Sequence, residues 1–547
     1  MSQVVPDKSV PSAGRKPDNP FWRNRTIDSY LNEATVQSPD KTALVAYRAD
    51  RGDEPVVELT YSQLEARVAR VAGSLRALGV GHGDIVAVQL PNWWEFVVFA
   101  LAAGRVGAVV NPLMPIFREH ELSFMLGLTE AKVFVVPRQF RGFDYETMAK
   151  GLRSGLPALK HVVVVDGEGD DSFDRLLMNG SGGSLPYGAS EGLAPEELAL
   201  IMFTSGTTGQ PKGAMHCCNT LIALTYAFAN RAGLDGSAVI FGCSPLGHMT
   251  GYGAAMIQSV RMGAKLVLQD VWEPQRAISI MVREGVTYTM AATTFLSDIY
   301  ETVAAGAPRP QALQKFLCGG APIPPVVIER AWRELGVPVV SLWGMTESLL
   351  GTVTEPARAL EKSPSTDGCP VEGMEVRVAD VDGKDLPVGQ TGRLLVRGPQ
   401  MFLGYYKRPD IPTVDAHGWF DTGDLAYLDE EGYIRINGRT KDIIIRGGEN
   451  IPVVEIESLL FAHPAVADAA IVGFPDPRLG ERSCAYVILK PGATLSLADV
   501  HEWLAQHKTA KQYWPERLQL IEQMPRTLTG KIQKFVLRER AKKDVSA

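Results

Sequence analysis

Between residues 61 and 318 the sequence alternates repeatedly between stretches with helical spacing of apolar residues and short strand-like runs. Residues 61–78 have helical spacing and stop at Gly79, residues 85–90 read as a strand, and residues 93–106 are helical again. Residues 132–136 and 161–166 are strand-like, and further strands are expected at 238–243, 264–269, 286–290 and 315–318. Such a chain buries its strands by covering them with helices, which predicts an α/β fold of layered, largely parallel sheets. Gly79-Val80-Gly81-His82-Gly83 follows a helix and precedes a strand. That is the wrong order for a dinucleotide-binding turn, so it reads as a helix stop.

The pattern changes after residue 373. Short strands at 375–378, 392–396 and 433–436, separated by Gly, Pro and Asp turns, predict a small β-subdomain. Residues 438–442 then precede a further α/β pattern of about 105 residues, a normal domain size. With 547 residues the chain is too long for one compact core. The expected division is a disordered lead-in at 1–24, a large N-terminal domain at 25–438, a junction at 439–442 and a small α+β C-terminal domain at 443–547. Residues 180–194 read as a Gly/Ser-rich linker.

Composition excludes several classes. A net charge of −7 gives no reason to expect nucleic-acid binding. The longest apolar run, 96–110, is interrupted by Arg105 and reads as a buried helix, so no membrane association is expected. The six cysteines show neither a CxxC pair nor metal-ligand spacing, which suits reduced thiols in a cytoplasmic protein. Residues 508–547 hold ten Lys or Arg against four Asp or Glu. That run is either a solvated helix face or an approach to phosphates.

Residues 204–213 point to chemistry. They read Thr-Ser-Gly-Thr-Thr-Gly-Gln-Pro-Lys-Gly and follow the apolar run 198–203. Glycines allow close approach of backbone N–H groups to an oxyanion, hydroxyls add donors and Lys212 adds a charge. A Walker loop needs Gly, four residues, then Gly-Lys-Ser/Thr. Here Pro211 precedes Lys212 and Gly213 follows it, and the other Gly-Lys pair, Gly530-Lys531, is followed by Ile532. The loop is therefore a phosphate cradle of another kind, its plain alternative being a flexible Ser/Thr/Gly loop.

Five further ordered motifs accompany it. They are Gly319-Gly320-Ala321-Pro322, Trp343-Gly344-Met345-Thr346-Glu347-Ser348, Trp419-Phe420-Asp421-Thr422-Gly423-Asp424, residues 438–450, and Pro525-Arg526-Thr527-Leu528-Thr529-Gly530-Lys531. Together with residues 204–213 they resemble the acyl-adenylate-forming superfamily, over about residues 25–540. Within it the sequence looks most like cyclohexanecarboxylate and related medium-chain acyl-coenzyme A ligases. The resemblance implies attack of a carboxylate on the α-phosphate of ATP, release of pyrophosphate, and capture of the acyl-adenylate by the thiol of coenzyme A. Two anions must meet in the first step, so cations and dipoles must offset their repulsion.

Roles follow from the resemblance alone. Thr204, Ser205, Gly206, Thr207, Thr208, Gly209 and Lys212 would hold the departing pyrophosphate. Thr346 would contact the α-phosphate, and Glu347 would hold Mg²⁺, a hard cation suited to carboxylate and phosphate oxygens. Gly319, Gly320, Ala321 and Pro322, with Trp343 and Gly344, would line the adenine pocket. Trp343 stands where relatives commonly have tyrosine, which keeps stacking and loses a hydroxyl. Asp424 would accept the ribose hydroxyls, and Arg439 would reach ribose or phosphates. Lys531 would bridge the substrate carboxylate and the α-phosphate as the central catalytic residue.

The C-terminal domain is then expected to be mobile, pivoting at Lys441, where many relatives carry Asp. Its rotation would withdraw Lys531 and bring Gly447 and Gly448 to a narrow thiol channel. His248, Met249, Gly251, Cys318 and Met345 are the expected acyl pocket, with a structural histidine the other reading of His248. The expected pocket segments 217–225, 248–253, 318–321 and 344–349 contain no Lys or Arg, which favours a neutral-tailed acid: alicyclic, medium-chain or aromatic. No carrier-protein segment is evident, so soluble coenzyme A is the expected acceptor. The alternatives are a stand-alone enzyme that loads a carrier protein or oxidises its adenylate, and a nucleotide- or acid-binding protein that has lost catalysis. Relatives can be silenced by a lysine acetyltransferase acting at the position of Lys531, since acetylation removes the charge.

Overall fold

The computed structural model describes residues 19–189, 192–204, 211–440, 444–446, 449–527 and 530–546. Ser205, Gly206, Thr207, Thr208 and Gly209 of the phosphate loop, Lys441 at the expected pivot, and Gly447 and Gly448 of the expected channel lie outside the described residues.

Two large sheets form the body. The six-stranded sheet runs in the order Lys212–Cys217, Leu198–Thr204, Val109–Pro112, Ile85–Val88, Val133–Pro137, His161–Val165. Its neighbours are parallel except at the edge pair Leu198–Thr204 and Lys212–Cys217, which forms an antiparallel hairpin. The nine-stranded sheet has a parallel centre made of Thr42–Tyr47, Lys265–Gln269, Val239–Gly242, Tyr288–Ala291, Lys315–Gly319 and Val339–Met345. Antiparallel strands finish both edges. The interior strands are apolar at nearly every position because helices cover both faces.

The main core lies among these sheets and the helices Tyr61–Ala77, Trp94–Arg105 and Cys218–Ala232. The apolar run 96–110 is a buried helix only as far as Arg105; its end turns into the strand Val109–Pro112. Arg105 is tolerated inside because Asp28 (2.6 Å) and Glu65 (2.7 Å) pair with its guanidinium. Among the described residues no helix is long and apolar enough to cross a membrane. The Gly/Ser stretch near 180 packs where a free linker was expected. A side chain at Gly73 would clash with the backbone of Gly182 and Gly183, so glycine lets the two backbones touch.

A four-stranded antiparallel sheet follows: Glu375–Ala379, Gly392–Arg397, Phe420–Leu428, Ile434–Arg439. The last sheet joins Glu449–Ile451, Ile444–Arg446, Gly480–Leu489 and Val466–Asp476, with Arg517–Leu520 added in parallel. The helices Val453–Phe461, Leu497–Gln506 and Lys534–Ser546 accompany it. The fold class is thus the α/β one expected: a large layered body with a small β-sheet unit and a small α+β C-terminal unit.

Candidate active site

The hairpin Leu198–Thr204/Lys212–Cys217 flanks the expected phosphate loop. Thr204 pairs directly with Lys212, so these two residues close the loop at the sheet edge. The Lys212 ammonium stands 5.1 Å from the centre of the Tyr405 ring, a cation–π distance. Further along the same strand, fully buried His216 donates from Nε2 to the carbonyl of Thr346 at 2.8 Å. One strand therefore carries the loop lysine and anchors the next motif.

That motif lies between the strands Val339–Met345 and Leu349–Val353. Leu349 takes a left-handed conformation, φ +56°, costly for a branched side chain and typical of turns held for function. The Glu347 carboxylate is 6% exposed, and its Oε1 accepts the Tyr405 hydroxyl at 2.8 Å. Among the described residues no Lys or Arg pairs with it. A nearly buried carboxylate with no ion-pair partner among the described residues would suit a hard divalent cation such as Mg²⁺. Among the described residues no three His, Cys, Asp or Glu converge as a cage.

Trp343, Asp424 and Arg439 form one hydrogen-bonded unit. The indole Nε1 donates to Asp424 Oδ2 and Arg439 Nε to Oδ1, both at 2.9 Å. The Trp343 indole thus gives Asp424 a second orienting donor beside Arg439. Each carboxylate oxygen keeps a lone pair for another donor, which leaves room for a diol. Any Cβ on Gly351 would collide with the Trp343 ring, so glycine lets the indole lie flat on the neighbouring strand.

Lys531 reaches this cleft from the C-terminal unit. Its backbone N–H bonds Thr527 Oγ1 (3.1 Å) and its carbonyl accepts from the Thr527 N–H (2.8 Å), closing a tight turn. Gly320 has φ +85°, and a Cβ there would stand 3.3 Å from Lys531 Cε, so the lysine stem lies over Gly320. Burial and the nearby Arg439 charge push the ammonium down to about 8, against the pull of Asp424 and Glu347.

His248 caps the short helix Met249–Gly251, its Nδ1 accepting from the Thr250 N–H at 3.2 Å. The ring proton therefore sits on Nε2. Burial and Lys531 push this histidine down to about 3, so it is neutral. Thr204, Lys212, His248, Met249, Gly319, Gly320, Ala321 and Pro322 all line one cleft of about 3320 Å³. Trp343, Gly344, Met345, Thr346, Glu347, Asp424, Arg439 and Lys531 line it too. That exceeds a single small-ligand pocket and has room for nucleotide and acid together.

Two acyl-pocket expectations need correction. Cys318 is fully buried, with its thiol against Thr293, and Gly251 packs on the carbonyls of Ser244 and Pro245; neither reaches the cleft wall. Their motifs border the pocket, but their side-chain positions face its back. Leu224, Phe228, Ala254 and Met290 stand on the wall instead. Leu224 lies in the expected pocket segment 217–225; Phe228 was missed, though it stands one helical turn further on the same helix, Cys218–Ala232. Tyr405 and His216 carried no signal, since their partners are distant in sequence.

Tyr405→Phe is expected to lower kcat/KM for acid activation roughly tenfold, the worth of one hydrogen bond to a charged group. Steady-state kinetics with an unchanged melting temperature checks it; full activity would remove Tyr405 from the site.

Residues 31–406 match the AMP-binding enzyme family, and residues 455–531 match the AMP-binding enzyme C-terminal domain. The chain is 37% identical over 522 residues to the medium-chain fatty-acid–CoA ligase of Escherichia coli (strain K12), covering 95% of this chain and 91% of the relative. It is 32% identical over 523 residues to the salicyl-AMP ligase / salicyl-S-ArCP synthetase of Mycobacterium tuberculosis (strain ATCC 25618 / H37Rv), covering 94% and 90%. The anthranilate CoA ligase AuaEII, solved in complex with anthranoyl-AMP, superposes with a TM-score of 0.86 at 26% identity, covering 97% of this chain and 99% of that one. Layered α/β body, small C-terminal unit and shared cleft define an adenylate-forming ligase. The chain belongs to the AMP-binding enzyme family and is an ATP-dependent, AMP-forming ligase.

Proposed function

We propose that the protein converts a neutral-tailed carboxylic acid, through its acyl-adenylate, to the coenzyme A thioester. The observation that carries this reading is the meeting of Lys531 with Glu347, Asp424 and Arg439 in one cleft whose inner wall is uncharged. That wall is built from Leu224, Phe228, Met249, Ala254 and Met290 beside neutral His248. An ionised tail would be desolvated there without a partner, whereas an alicyclic acid such as cyclohexanecarboxylate, a medium chain or an aromatic acid loses nothing.

The residue roles belong to the same proposal. Asp424 orients the ribose, Trp343 and residues 319–322 flank the base, and Lys212 with the phosphate loop receives pyrophosphate. Glu347 would hold Mg²⁺, which when bound neutralises phosphate charge. Lys531 draws the acid carboxylate and the α-phosphate together. One carboxylate oxygen forms the new bond to phosphorus as the bond to pyrophosphate breaks, and that oxygen leaves with AMP when the thiol attacks. Domain movement about Lys441 would exchange Lys531 for a thiol channel over Gly447 and Gly448. Six unbridged cysteines fit a reducing, cytoplasmic setting.

Acid-dependent pyrophosphate exchange across straight-chain, alicyclic and aromatic acids tests the reading. Orthophosphate and ADP as products would contradict it. The resemblance to a salicyl-AMP ligase keeps carrier loading as a second reading; thioester assays with coenzyme A against carrier proteins separate the two.

The depressed Lys531 ammonium gives a pH prediction. Its charge is fully present below about pH 8 and is lost above it, so kcat/KM should fall on the alkaline side of about 8. His248 is already neutral and adds no titration in that window. A flat profile from pH 7 to about 10 in the wild type would exclude the role. Lys531 is also the proposed target of a lysine acetyltransferase, because acetylation would remove that charge. Mass spectrometry finding only unmodified Lys531 in cells containing such an enzyme would contradict this.

A further inference from the structure

Lys531 stands one residue after Gly530, and the peptide group between them decides where its side chain points. That group is held at both ends. Its carbonyl, on Gly530, accepts from Arg526 Nη1. Its N–H, on Lys531, donates to Thr527 Oγ1 at 3.1 Å. A peptide group is planar, so bonds on its two opposite edges fix its orientation. The clamp matters because Gly530 has φ +82°, and a glycine turns easily when nothing holds it.

Arg526 is itself anchored. Its Nη2 donates to Asp468 Oδ2 at 2.6 Å, and the two side chains are mostly buried. Asp468 lies on the strand Val466–Asp476 of the C-terminal sheet, where its other oxygen accepts the Ala469 N–H at 3.0 Å. Around the lysine, the Gln533 N–H bonds the Pro525 carbonyl at 2.8 Å, and Arg526 pairs with Ile532 as an antiparallel bridge. One guanidinium thus ties the Lys531 segment to its own sheet through two charge-assisted bonds in a planar fork.

The clamped peptide also touches the large unit. A Cβ on Gly530 would collide with Thr294 Oγ1 and stand 3.4 Å from Ala292 Cβ. Bare backbone therefore rests on the start of the helix Thr293–Ala304. Asp298, one turn along the same helix face, also lines the cleft. Burial raises its carboxyl, and the Arg526 charge pulls it partly back.

We propose that Arg526, anchored by Asp468, is a positioning residue for Lys531: it fixes the Gly530–Lys531 peptide against Thr294 and so aims the ammonium into the cleft. The inference rests on the proposed role of Lys531 in acid activation, and Arg526 acts only through that lysine.

The experiment separates the two half-reactions. Arg526→Ala should lower the rate of acid-dependent pyrophosphate exchange about 10- to 100-fold, the range for losing a charged hydrogen bond that keeps a reacting group in line. The KM for ATP, and thioester formation from a supplied acyl-adenylate, should stay close to wild type. Asp468→Ala should show the same split. The double variant should be no worse than Arg526→Ala alone, because both changes break one network. Arg526→Lys keeps the charge without the fork and should recover only part of the exchange rate. Should Arg526→Ala fail to fold, Asp468→Asn keeps the anchor's shape without its charge and carries the same comparison. Normal exchange in Arg526→Ala, equal loss of both half-reactions, or additive losses in the double variant would overturn the proposal. An intact exchange rate in Lys531→Ala would instead defeat the underlying assignment of the lysine.

Discussion

Lys531→Ala is expected to lower acyl-adenylate formation about 100- to 1000-fold, the usual cost of losing one preorganised charge at a developing anion. The geometry explains the size. Lys531 is delivered into a cleft that also holds Glu347 and Asp424, and its stem lies close over Gly320, where a Cβ would stand 3.3 Å from its Cε. Among the described residues the other lysines of the cleft are engaged elsewhere: Lys212 faces the Tyr405 ring, Lys534 pairs with Glu457 and Lys490 bonds the Pro464 carbonyl. The same variant should retain much of its ability to form thioester from a supplied acyl-adenylate. Gly448→Leu should do the reverse, sparing adenylation and blocking thiol capture. Equal loss of both half-reactions in both variants would contradict a division of labour between them.

The second large effect is expected at Asp424. Its carboxylate is 4% exposed and holds the Trp343 indole and the Arg439 guanidinium at once. Asp424→Ala leaves a buried N–H without an acceptor and releases the arginine, in addition to removing the proposed ribose contact. The KM for ATP should rise about 10- to 100-fold, the range expected when a charge-assisted hydrogen bond is lost and its partner is left unpaired. The KM for the acid should change much less. Asp424→Asn keeps one acceptor oxygen and should fall between the two. An unchanged KM for ATP in Asp424→Ala would place the nucleotide elsewhere.

Much of the architecture was legible because it is written in local periodicity. The helix Tyr61–Ala77 and the strands Ile85–Val88 and Lys265–Gln269 show their own apolar spacing and turn residues. The strand Lys212–Cys217 was not legible. Its residues, Lys-Gly-Ala-Met-His-Cys, have no strand pattern, and it is held by pairing to Leu198–Thr204 and to residues 403–406. The same reason hid Tyr405, whose partner Glu347 is 58 residues away. The motifs that carry Lys531, Trp343 and Asp424 meet along one cleft, yet the motifs could not say which side of each element faced it. Cys318 and Gly251 fell behind the wall, whereas Leu224, inside the expected pocket segment 217–225, and Phe228, just beyond it, stand on the wall.

The central claim is that the acid itself attacks the α-phosphate, in the cleft that Lys531 completes. Heavy-oxygen labelling tests it directly. An acid carrying heavy oxygen at both carboxylate positions should deliver one labelled oxygen to AMP during coenzyme A thioester formation, and Lys531→Ala should suppress that transfer. Turnover that yields unlabelled AMP, or that places the label in orthophosphate, would contradict the account.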